Sequence, residues 1–119
     1  MSDVVHWVVE LNIKDGALED LKAVMNDMAA ATKANEPGTT HYEWFISGDG
    51  KRLHIYERYA DSAAVLTHLK TYGETFADRF LATVEPARLV VYGDPSSEAR
   101  MMLARLGAIH MKQIGGFAR

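Results

Sequence analysis

Glu57 is a carboxylate in an otherwise apolar row. In LHIYERY (residues 53–59), strand alternation puts Leu53, Ile55, Glu57 and Tyr59 on one face and His54, Tyr56 and Arg58 on the other. If the first face is buried, Glu57 needs a hydrogen-bonding partner there. His68, on the helical stretch that follows, borders an apolar stripe of Val65, Leu69 and Tyr72 and can reach that face. A neutral imidazole, with an ordinary pKa of about 6.5, accepts a proton near neutral pH. A carboxylate beside it fixes its tautomer and stabilises the imidazolium. His68 is therefore the candidate base and Glu57 its orienting partner. The same pair could instead pin a helix to a sheet, and Arg58, Arg79 or Arg88 could satisfy Glu57. Tyr42, Trp44 and Tyr59 are either walls for a flat ligand or ordinary packing.

The elements that must position these groups read in chain order. Residues 4–13 alternate as a strand, with Val5, Trp7, Val9, Leu11 and Ile13 on one face. Leu18, Leu21, Met25 and Met28 recur at helical spacing, which predicts a helix over residues 17–35, and Pro37 disfavours its continuation. TTHYEWFIS and KRLHIYERYA flank GDG, a hairpin signal. A two-residue loop at Asp49 and Gly50 pairs Trp44 with Ile55 and Tyr42 with Glu57. A three-residue loop slips the pairing and sets His41 opposite Glu57. The first register keeps the apolar side chains together. Asp61 or Ser62 can cap the second helix, which Gly73 breaks or bends and which runs to about residue 84. A fourth strand starts at Pro86 and ends at Asp94 and Pro95. The order β-α-β-β-α-β predicts an α+β, ferredoxin-like domain with an antiparallel sheet over residues 1–95. Residues 96–119 form a C-terminal extension of the same domain: a short helix capped by Ser96 or Ser97 and ended by Gly107, then an extra strand in AIHMKQI.

Composition narrows the function. The 119 residues are 48% hydrophobic and 24% charged, as in a globular domain, and the net charge of -3 leaves no footprint for nucleic acid or an anionic membrane. There are no cysteines, which excludes disulfides and thiolate chemistry and suits the cytoplasm. The N-terminal run carries neither a signal peptide nor a membrane span. His6, His41, His54 and His110 lack the spacing of a metal site, so no metal is expected.

EPGTTHYEWF, YERYADSAAVLTH and a strand ending VVYGDP together resemble the antibiotic biosynthesis monooxygenase family over about residues 4–95. The acidic Glu57 followed by a helix histidine, His68, beyond the small pair Ala63 and Ala64, carries most of the likeness. The resemblance implies a homodimeric α+β barrel, with two sheets face to face and a cavity between sheet and helices in each subunit. It also implies oxygenation of a small aromatic phenol or quinol by dioxygen, without metal or flavin. In that chemistry His68 and Glu57 are catalytic and Tyr42, Trp44 and Tyr59 bind substrate. Two alternatives stay open. One is a barrel that binds a small ligand without chemistry. The other is a haem-binding relative, although the tryptophan typical of that branch would fall at Tyr59 and Asn12 sits too near the end of its strand.

Overall fold

The computed structural model describes residues 3–119. Residues 1 and 2 of the expected domain lie outside the described residues. The order is β1 (Val5–Ile13), α1 (Leu18–Asn35), β2 (Thr39–Ile46), β3 (Arg52–Tyr59), α2 (Ser62–Thr71), a π-helical turn (Tyr72–Phe76), α3 (Ala77–Leu81), β4 (Val84–Tyr92), α4 (Ser97–Ala104) and β5 (Ile109–Met111). The strands lie in the order β2-β3-β1-β4-β5. The first four pair antiparallel, as a ferredoxin-like domain requires. β5 joins β4 in parallel, because α4 carries the chain back before it re-enters the sheet. The whole sheet is therefore mixed. No helix of the described residues is long and apolar enough to cross a membrane.

The hairpin takes the two-residue register: Tyr42 stands opposite Glu57 and Trp44 opposite Ile55. Asp49 holds the turn by accepting from the Ser47 hydroxyl and the Lys51 N–H, and Gly50 supplies the positive φ of 73° that the reversal needs. Helices cover only one face of the sheet. Beneath them Val5, Trp7, Tyr59, Val65, Leu69 and Leu103 form one core, and Leu11, Leu21, Val24, Met28, Leu53, Ile55 and Phe80 another; Val9 touches both.

Two features differ from the sequence reading. The second helix does not run to residue 84. It widens into the π turn around Gly73 and ends at Leu81, where the Thr83 N–H and hydroxyl both donate to the Phe80 carbonyl. β4 consequently starts two residues before the expected Pro86. Proline cannot donate to the ladder, so the strand accommodates it with a bulge: Leu11 pairs with Pro86 and Glu10 with Arg88, leaving Ala87 unpaired. The bulge and the π turn both border the cavity described next.

Candidate functional site

β3 alternation turns Glu57 toward the helices, and α2 presents His68 above it. α2 starts where Asp61 accepts from the Ala64 N–H at 2.9 Å, so its phase is fixed by a side-chain cap. Ala64 lies one turn before His68. A Cβ added to Gly38 would lie 2.6 Å from the Ala64 Cβ. The bare glycine thus lets α2 close onto the start of β2, and that approach brings His68 to Glu36.

Glu36 is the member that sequence reasoning missed. It forms the C-cap of α1, where the helix dipole disfavours a negative charge. An acidic residue placed there against the dipole, directly before Pro37, is the signal that could have drawn attention to it. His68 Nδ1 donates to Glu36 Oε1 at 2.8 Å, and the Thr39 hydroxyl donates to the same oxygen at 3.2 Å. His68 Nε2 lies 3.1 Å from Glu57 Oε1, which also accepts from the Tyr59 hydroxyl at 2.5 Å. Glu36, Glu57 and His68 are 5%, 5% and 6% exposed, so most of their hydrogen bonding must come from protein groups. The arginines considered as partners of Glu57 are elsewhere. Arg79 pairs with Asp27 at 2.6 Å, Arg88 lies 3.8 Å from Glu10, and Arg58 follows the opposite face of β3.

Burial alone would pull the His68 pKa down. The hydrogen bonds to Glu36 and Glu57 and the charges of the two carboxylates outweigh it and push the value up to about 9. His68 is therefore an imidazolium at neutral pH, with a carboxylate against each nitrogen. Burial, reinforced by Glu57, raises Tyr42 and Tyr59 well above the usual phenol range and Tyr72 to about 12. All three remain hydroxyl donors.

A cavity of about 640 Å³ opens beside this triad. Glu57, His68, Tyr42 and Tyr72 supply its polar groups near the triad, Arg88 and Arg105 also border it, and Trp7, Val9, Ile55 and Phe80 are among its apolar lining. The hydroxyls of Tyr42 and Tyr72 have no hydrogen-bond partner among the described residues, whereas that of Tyr59 is used by Glu57. Of the three aromatics expected to hold substrate, only Tyr42 lines the cavity. Its ring meets the His68 ring edge-on at 5.2 Å. Tyr59 is fully buried against Trp7, with centroids 4.6 Å apart. Trp44 packs edge-on against Phe80 and Tyr42. Tyr72, placed by the π turn, joins the site in their stead. No group of three or more His, Cys, Asp or Glu among the described residues is arranged to hold a metal ion.

The profile of a family described as antibiotic biosynthesis monooxygenase matches residues 4–86. Among curated proteins no sequence matches. Solved structures share the fold. MupZ from Pseudomonas fluorescens superposes with a TM-score of 0.87 at 23% identity, over 99% of this chain and 96% of that one. SnoaB from Streptomyces nogalater, described as a cofactor-independent oxygenase, gives 0.67 at 18% identity, over 81% of this chain and 97% of its own. A conserved protein from Methanosarcina mazei gives 0.65 at 15% identity, over 75% and 90%.

Proposed function

This chain belongs to the antibiotic biosynthesis monooxygenase family, and from that premise we propose that it is a cofactor-independent monooxygenase acting on a small phenol or quinol. The observation that carries the reading is the placement of Glu57 and His68, 3.1 Å apart as an ion pair, in the wall of an apolar cavity that can hold a flat aromatic. The description of SnoaB as a cofactor-independent oxygenase supports it.

The geometry supports one division of labour within the pair. Both nitrogens of His68 are engaged by carboxylates, so proton acceptance falls to Glu57, whose Oε2 has no partner among the described residues. The imidazolium and the Tyr42 and Tyr72 hydroxyls then stabilise the anion left on the substrate. Triplet dioxygen reacts slowly with closed-shell molecules, but a phenolate or enolate can give it one electron. The radical pair joins to a hydroperoxide, which loses water. In balance, one ring methylene of the keto tautomer and one dioxygen become one ring carbonyl and one water. The substrate's own electrons reduce the dioxygen, so the step needs no metal or flavin. One observation favours the alternative, a binding barrel without chemistry. The Glu36–His68 bond ties the end of α1 to α2 and would do so in an inert protein.

Oxygen uptake with a panel of naphthoquinols and anthrols separates the two. Uptake above autoxidation that falls about 100-fold or more in Glu57→Gln and His68→Ala supports the oxygenase. Tight binding of the same compounds without uptake would move the assignment to the binding barrel.

A further inference from the structure

The family profile ends at residue 86, yet the cavity is completed by residues beyond it: Met102 on α4, and Arg105, Leu106 and Gly107 just after it. This wall is anchored. Ala99 and Leu103 are fully buried in the first core, the Ser96 side chain caps α4, and the Ser96 N–H donates to the Ser62 hydroxyl at the start of α2. Gly107, at a φ of 73°, then turns the chain back into β5. The extension covers the cavity as firmly as it covers the core.

The charges along the cavity are divided. Glu57 and His68 lie at the triad, with Glu36 behind them. Two arginines also border the cavity. Arg88 leans toward Glu10, on the other face of the sheet, at 3.8 Å. Arg105 makes no side-chain hydrogen bond or ion pair among the described residues, although it stands at an otherwise apolar edge. We infer that the extension is the substrate-selecting wall of this site and that Arg105 takes the anionic group, a carboxylate, of a flat apolar acid.

The inference rests on the reading of the cavity as a substrate site and adds its polarity. The triad sets one imidazolium against two carboxylates and so keeps an excess of negative charge, which repels a carboxylate, whereas Arg105 attracts one. The acid therefore enters with its neutral aromatic end toward the triad and its charge toward the extension. Charge placement of this kind selects orientation by repulsion as much as by attraction.

The test is binding without oxygen, so that turnover plays no part. The probes are 6-hydroxy-2-naphthoate and its methyl ester, followed by calorimetry under nitrogen at low salt. The acid is expected to bind at least ~10-fold tighter than the ester, the scale of one hydrogen bond to a charged group. Arg105→Ala should erase that preference by weakening the acid far more than the ester, and Arg105→Lys should retain part of it. Arg105 is exposed, so its replacement leaves the core intact. Equal binding of acid and ester, or a preference that survives Arg105→Ala, overturns the inference while the bound ester keeps the cavity as a binding site. Binding of neither probe overturns both. Acid preference without oxygen uptake in air would sustain this inference and sink the oxygenase.

Discussion

His68 is a buried cation, and its charge is an asset only while both carboxylates face it. Its folded-state pKa of about 9 lies above the ordinary 6.5. The interaction therefore stabilises the fold in full below about pH 6.5 and is lost as pH rises through about 9, a contribution on the order of 3 kcal/mol. Thermal melts across that window should show a falling Tm in the wild type and a flatter profile in His68→Asn. A wild-type Tm that is level from pH 6.5 to 9 would mean that His68 is not held as the imidazolium. Tyr59 acts behind Glu57. Tyr59→Phe keeps the ring in the core but removes the donor at 2.5 Å, leaving a buried carboxylate oxygen with one contact fewer. Denaturant titration should register a loss of about 1–3 kcal/mol.

At the scale of elements, the site depends on how closely α2 approaches β2. Gly38→Ala would set two Cβ atoms 2.6 Å apart, which the structure can relieve only by moving α2 outward. The expected cost is about 1–3 kcal/mol, accompanied by a drop in the His68 pKa as Glu36 recedes. Ala64→Gly in the same chain should restore the pKa even though it weakens the helix by roughly 1 kcal/mol. NMR titration of the His68 ring in the single and double variants reads this directly. An unchanged pKa in Gly38→Ala would show that the close approach does not set the triad. The π turn works on the same scale: by inserting one residue into the helical ladder around Gly73, it brings Tyr72 to the cavity wall.

For the whole molecule, the helices leave one sheet face uncovered. Phe45 on β2 and Ile109 and Met111 on β5 are exposed, while His6, Tyr56 and Tyr92 cluster between them. A second copy packed sheet to sheet would cover these residues, as the family resemblance implies, and would leave each cavity on the helix side of its own sheet. We expect sedimentation velocity to show a dimer at micromolar concentration that Phe45→Glu weakens by tenfold or more. A wild-type monomer under those conditions would remove the barrel arrangement without touching the cavity.

Period and punctuation made much of this architecture legible in the sequence. Strand alternation put Glu57 with Leu53 and Ile55, Asp49 and Gly50 fixed the hairpin register that sets Tyr42 opposite it, and the apolar spacing of α2 turned His68 to the same side. These are local properties, set by the backbone repeat and by turn chemistry. The departures were nonlocal. A proline in β4 read as a strand start because nothing in the chain announces a bulge, which exists only against β1. Glu36 drew no reading of its own because its partner lies 32 positions away. Tyr59 and Trp44 read as walls because their types suit a ligand, whereas Tyr59 is fully buried against Trp7 and the half-buried Trp44 packs edge-on against Phe80 and Tyr42. The protonation of His68 was the least legible of all. An isolated histidine is neutral or charged near pH 7 with little to choose between the two, and here two carboxylates from separate elements, meeting out of water, decide it.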